Sequence, residues 1–139
     1  MVDSEVFDRL STAREFIDDC FDECLDLATI ARRAHLSPFH FQRLFRNVFE
    51  LTPHQYMTRR RIERAKELLI HTEAEISEIC LIVGFQSLGS FSTLFSRLTG
   101  FSPSAYRHRF GRGFRINVLY PTPKPRIPSC FLLMLSPKG

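Results

Sequence analysis

The chain has no tryptophan, only three tyrosines and three methionines among 139 residues, and only six glycines and eight prolines. So little glycine and proline excludes a collagenous or low-complexity chain. No apolar run approaches the roughly 18 residues that a membrane-spanning helix requires; the longest, Phe131 to Leu135, has five. The opening MVDSEVFDRL is acidic and lacks the basic start and apolar stretch of a signal peptide, so a cytoplasmic protein is expected. Four cysteines without regular spacing exclude a disulfide framework and fit a reducing compartment. His35, His40, His54, His71 and His108 are scattered without metal-ligand spacing. A glycine-rich phosphate loop, a nucleophile elbow and a paired-carboxylate arrangement are all missing. No enzyme, cofactor or metal site is therefore expected.

What is present is a chain long enough for one compact domain or two very small ones sharing a core. Its net charge of +4 is unevenly divided. Residues 1–26 carry nine acids against two bases, and residues 27–139 carry the other six acids and seventeen bases. Sixteen of the nineteen bases are arginine, which suits bidentate contact with phosphates and guanine edges better than lysine does. A nucleic-acid partner leads from charge alone, and an arginine-rich solvated surface fits the same balance.

The strong periodic signals are helical. Val6, Leu10, Ala13, Ile17 and Cys20 recur at steps of three and four, predicting a helix over 4–20. Asp26 stands as N-cap before Leu27, Ile30, Ala31 and Ala34, on a helix of about nine residues ending near His35. Ser37-Pro38, Thr52-Pro53 and Ser102-Pro103 each pair a capping side chain with a proline pre-set for the first helical position. The first opens a helix with Phe41, Leu44, Phe45 and Val48 inward, and the second the longest helix, to about His71. Thr72 with Glu75 reads as a capping box before Ile76, Ile79, Cys80 and Val83. Gly84 breaks that helix, and Ser87 caps the next, with Phe91, Leu94, Phe95 and Leu98 inward and Gly100 ending it. Beyond Gly111 the pattern changes: residues 115–120 alternate weakly like a strand, Pro121, Pro123, Pro125 and Pro128 then forbid regular structure, and the last 29 residues hold five bases and no acid.

A shift of fifty residues superimposes Ser37 on Ser87, Phe41 on Phe91, Leu44 on Leu94, Phe45 on Phe95, Pro53 on Pro103 and Tyr56 on Tyr106. Two copies are too few for a solenoid, so this is one helical unit used twice. Each copy has a short helix, a tight turn (His35-Leu36-Ser37 and Phe85-Gln86-Ser87) and a second helix with an aromatic inner face. That is the outline of helix-turn-helix, whose second helix enters the major groove, and also of any helical hairpin. Cys20 continues an apolar stripe and Cys80 matches Ile30 in the repeat, so both read as small core residues rather than ligands.

The outward face of the first candidate reading helix carries Phe39, His40, Gln42, Arg43, Arg46 and Asn47. Gln42 can pair with adenine and Arg43 with guanine, and Phe39 can pack on thymine methyls. A solvated face accounts for the polar residues but not for Phe39 among them.

The stretch GFQSLGSFSTLFSRLTGFSPSAYR, residues 84–107, resembles the second helix-turn-helix motif of the AraC/XylS family of bacterial transcription regulators. Residues 27–69 are similar to the first motif and the helix that connects the two, and the resemblance covers about residues 5–110. It implies an all-α domain of seven helices. Two helix-turn-helix subdomains, about 26–49 and 75–100, are joined by a long connecting helix at about 53–71. The two reading helices enter successive major grooves. Matched position by position, Phe39, Gln42, Arg43 and Arg46 fall on contact positions of the first reading helix, and Leu88, Gly89, Ser90, Ser92 and Thr93 on those of the second. His40 lies on the first helix and is a further candidate for DNA contact.

The second set departs from the family pattern, because Leu88, Gly89 and Thr93 offer no long donor. The first helix is therefore expected to supply most direct readout, and the second phosphate contacts and fit to DNA shape. Ser87, Ser90 and the helix N-terminus can hold a phosphate, and Arg97 either reaches the backbone or faces water.

Arg59, Arg60 and Arg61 span most of a helical turn and cannot share one phosphate track; one is expected to be paired internally, with Glu63 and Glu67 as candidate partners. Residues 111–139 read as a basic, proline-containing extension, partly disordered, with Phe131 to Leu135 able to dock on the domain. These readings converge on a sequence-specific regulator that binds double-stranded DNA as a monomer, contacts RNA polymerase, and has no membrane association. The alternative is an interaction module of the same fold that acts on polymerase or another regulator without specific DNA reading.

Overall fold

The computed structural model describes residues 2–111. Among them the chain forms seven helices and no strand: α1 (Ser4–Cys20), α2 (Leu27–Arg33), α3 (Pro38–Phe49), α4 (Pro53–His71), α5 (Ile76–Ile82), α6 (Leu88–Thr99) and α7 (Pro103–Phe110). The fold is all-α, as the periodicity and the family resemblance imply. The strand-like stretch at 115–120 and the apolar run at 131–135 lie outside the described residues.

Side-chain caps set most helix starts. The Asp26 carboxylate accepts from the Thr29 amide at 2.7 Å, and Ser37, Ser87 and Ser102 accept from His40, Ser90 and Ala105 at 3.4, 3.3 and 3.2 Å. At α4 the capping is reciprocal: Thr52 Oγ1 accepts from the Gln55 amide at 3.1 Å and Gln55 Oε1 from the Thr52 amide at 3.0 Å. The expected Thr72–Glu75 box does not form. The Thr72 hydroxyl instead donates back to the Leu68 carbonyl at 2.7 Å, closing α4. Because α5 begins at Ile76, its box lies three residues on, with the Glu75 amide donating to Glu78 Oε2 at 3.2 Å.

The chain divides into two compact units, with the border inside α4 between Arg60 and Arg61. In the first, α1 supplies Leu10, Ala13 and Ile17 to a core with Ile30, Phe41 and Phe45, and Met57 of α4 joins it. In the second, Ile62, Ala65 and Leu69 of α4 take the place of the α1 stripe, around Ile79, Phe91 and Phe95. The spacing of Leu10, Ala13 and Ile17 recurs in Ile62, Ala65 and Leu69, so each half of α4 serves a different copy of one four-helix plan.

The ring geometry repeats as well. The Phe41 and Phe45 centroids are 5.5 Å apart, and those of Phe91 and Phe95 5.7 Å. Tyr56 meets Phe45 edge-on at 5.8 Å, and Tyr106 meets Phe95 edge-on at 5.3 Å. All four phenylalanines are completely buried, each contributing about 1.5–3 kcal/mol of transfer free energy.

The turns between the paired helices correct the expected alignment. In the first, the Leu36 amide donates to the Ala31 carbonyl at 3.2 Å across His35, which has φ 55°. In the second, the Phe85 amide donates to the Cys80 carbonyl at 3.0 Å across Gly84, with φ 97°. His35 therefore matches Gly84, and Cys80 matches Ala31 rather than Ile30. The second turn holds one residue more before its capping serine. The nine-residue helix expected before the first turn ends at Arg33, seven residues long.

Candidate nucleic-acid interface

Because Phe41 and Phe45 fix the inner face of α3, the outer face is determined by the helical period. Phe39, Gln42, Arg43 and Arg46 follow one another at steps of three, one and three. All four are exposed, with His40 and Asn47 beside them. Among the described residues Phe39, at 77% accessible, is the most exposed of the large apolar side chains. From Phe39 to Arg46 the row rises roughly 10 Å, or about three base pairs of major groove.

Among the described residues no carboxylate pairs with Arg43 or Arg46, so both guanidinium groups retain their donors. Gln42 borders a cleft of about 120 Å³ lined by Leu27, Ile30, Pro53 and His54. The His40 amide donates to Ser37 Oγ in the helix cap, and the residue is exposed.

On α6 the corresponding face is short-sided. Ser87, Ser90, Thr93 and Arg97 are exposed, as are Leu88 and Gly89. Ser87 Oγ accepts from the Ser90 amide, so the serine at the helix start first organises the backbone and keeps only its own hydroxyl proton to donate outward. Ser92 is half-buried, and the Ser96 hydroxyl donates to its carbonyl at 2.8 Å. Leu98, expected on the inner face, is 44% accessible, because Phe91 and Phe95 already fill the core one turn earlier. The two candidate faces, on α3 and on α6, belong to separate compact units.

The arginines of the connecting helix are less available than their number suggests. Arg60 Nε lies 3.0 Å from Asp18 Oδ1, the oxygen that also accepts from the Tyr56 hydroxyl at 2.7 Å. Burial, with the Asp18 carboxylate beside it, pushes the Tyr56 phenol up to about 12. Arg61 stacks over the Phe85 ring at 5.7 Å. Glu63 and Glu67, the expected partners of Arg59 or Arg60, bond instead to Lys66 and Arg64, each at 2.7 Å. Each of these is an i,i+3 pair along α4, whereas Arg60 reaches Asp18 of α1.

Arg107 has a role that sequence patterning does not reveal. Its guanidinium donates to the carbonyls of Leu69, Thr72 and Ala74 at 3.2, 3.4 and 2.6 Å, capping the C-terminus of α4 from α7. Its repeat counterpart is Met57, a core side chain, so the duplication gives no warning of it.

No group of His, Cys, Asp and Glu side chains among the described residues is placed to hold a metal ion, and no described helix is long and apolar enough to cross a membrane. Cys80 is buried, which raises its thiol above the ordinary range.

A family model described as a helix-turn-helix domain matches residues 30–109. The chain belongs to the AraC/XylS family. It is 35% identical over 100 residues to the regulatory protein SoxS of Salmonella typhimurium, covering 72% of this chain and 94% of that one. It is 36% identical over 107 residues to the bifunctional transcriptional activator/DNA repair enzyme AdaA of Bacillus subtilis, where the match covers 77% of this chain but 49% of the relative. This AraC/XylS chain thus spans about half of AdaA and 37% of LumQ, a probable transcriptional regulator of Photobacterium leiognathi. Among solved structures, the DNA-binding domain of AdpA, in complex with a target DNA, matches with TM-score 0.70 and 29% identity, over 73% of this chain and 92% of that one. The C-terminal domain of AraT from Geobacillus stearothermophilus matches with TM-score 0.68 and 33% identity, over 72% and 84%. The described residues have the fold of an AraC-type DNA-binding domain.

Proposed function

We propose that residues 1–110 act as a sequence-specific DNA-binding unit that regulates transcription, with α3 the principal base reader. The observation that carries this reading is the exposed row Phe39, Gln42, Arg43 and Arg46 on a helix whose opposite face is locked by Phe41 and Phe45. Arg43 suits a guanine, Gln42 an adenine and Phe39 a thymine methyl, with Arg46 nearest the phosphates. His40 is a flanking contact. On α6, Ser87, Ser90, Thr93 and Arg97 bind backbone, and the half-buried Ser92 contributes through fit. The family resemblance supports insertion of the two helices into successive major grooves.

Two dissimilar reading faces in one chain suit an asymmetric site bound by a monomer, and exposed cations left over from phosphate binding suit contact with RNA polymerase. In this reading the protein acts on chromosomal DNA in the cytoplasm and catalyses no reaction.

A mobility-shift titration on the promoter regions beside its own gene, repeated across salt concentrations, tests the proposal. Strong binding to one region that survives moderate salt and excess competitor DNA is expected. Weak binding that is equal on every sequence and vanishes at moderate salt contradicts it.

A further inference from the structure

Gly89 lies in the first turn of α6, at the repeat position of Phe39, so the most projecting apolar side chain of one reading helix corresponds to no side chain at all on the other. The fold does not require a glycine there. Gly89 has no left-handed φ, unlike Gly84 and Gly100. A methyl group built on it would meet only Ser87 Oγ, at 3.7 Å, an ordinary van der Waals distance. A glycine that is exposed, helical and unhindered weakens its helix without serving the protein interior.

We propose that Gly89 is a specificity-determining residue that acts by clearance. Flanked by the short side chains of Ser90 and Thr93, with Leu88 and Arg97 also exposed on α6, the helix seats its backbone closer to the DNA at Gly89 than α3 can at Phe39, and reads its half-site by steric fit to the groove. This rests on the DNA-reading function proposed above. Bulk at position 89 holds α6 away from its half-site while leaving the readout by α3 intact.

The test uses the full chain and three DNA duplexes: the operator recovered by selection, and two versions in which one half-site is scrambled. The α3 half-site is the one whose preference responds to Arg43→Ala. Fluorescence anisotropy and thermal melting are measured for wild type, Gly89→Ala and Gly89→Phe.

Gly89→Ala is expected to melt at the same temperature or a few degrees higher and to bind the intact operator about threefold more weakly. Gly89→Phe is expected to lose about thirtyfold, and to match wild type on the duplex whose α6 half-site is scrambled. If wild type and Gly89→Phe bind the intact operator alike, or Gly89→Ala melts several degrees lower, the clearance role is overturned. Wild type failing to distinguish the intact from the scrambled duplexes overturns the DNA-reading proposal itself, and is a different result from either of these.

Discussion

Glu50 and His35 hold backbone conformations that L-residues adopt at a cost, with φ of 61° and 55°. The repeat places glycine at both equivalent positions, Gly100 with φ 81° and Gly84 with φ 97°. Glu50 ends α3 and Gly100 ends α6, their amides donating to the Arg46 and Ser96 carbonyls at 2.9 Å. Left-handed geometry costs a non-glycine residue about 1–2 kcal/mol, part of which glycine returns as unfolded-chain entropy. Glu50→Gly is therefore expected to stabilise the protein by up to about 1 kcal/mol in urea denaturation. Gly100→Ala is expected to destabilise it by about 1 kcal/mol, through φ alone, since nothing lies within 4 Å of an added Cβ.

Tyr56 gives a residue-scale signal in pH. Its phenol is raised to about 12 by burial and by the Asp18 carboxylate it bonds to. The folded value exceeds the ordinary 10.0 of a phenol, so the stabilisation is whole below about 10 and is lost as pH rises through about 12. Absorbance titration near 295 nm should resolve the late ionisation of Tyr56, and Asp18→Asn should move it earlier. Late ionisation unchanged by Asp18→Asn would remove that carboxylate as a cause.

At the scale of elements, helix starts were legible because serine-proline and aspartate caps act through side chains that the sequence displays. Asp26 illustrates their pH dependence. Its bonds to Thr29 hold its carboxyl below the ordinary 3.8, so the cap of α2 is intact above that value and is lost as pH falls through the lowered one. Asp26→Asn keeps the acceptor and should flatten the acid limb of a stability profile followed by circular dichroism; an unchanged limb would mean the cap carries no charge-dependent stability.

The turn register was not legible. His35 is not a glycine, and the second turn is a residue longer, so a constant shift of fifty misaligns everything before the turns while matching everything after them. The Arg107 cap escaped for a related reason: its acceptors are backbone carbonyls some 35 residues earlier, and no side-chain pattern marks them. Arg107→Met keeps the volume and leaves those carbonyls without their donor, and is expected to cost roughly 1.5–3 kcal/mol. A loss below about 0.5 kcal/mol in urea denaturation would show that water replaces the guanidinium.

At the scale of the whole molecule, nine of the fifteen acids lie in the first 26 residues and seventeen of the nineteen bases in the remainder. Part of the acidic charge is used internally, as Asp18 shows with Tyr56 and Arg60, so the arginine total overstates what is free for DNA. The face of α3 was legible because its aromatic core residues fix which side chains must point outward. The character of α6 was only partly so: its short side chains are plain in the sequence, but that Gly89 is unhindered and Ser92 half-buried depends on packing.

The central claim is that α3 reads bases through Arg43 and its neighbours. Selection of bound duplexes from a random library, by wild type and by Arg43→Ala, tests it most directly. Wild type is expected to recover one asymmetric motif, and Arg43→Ala the same motif with the preference relaxed at one base pair, at a cost of roughly 1–3 kcal/mol. Recovery of no motif by wild type, or of an identical preference at every position by Arg43→Ala, would contradict the account.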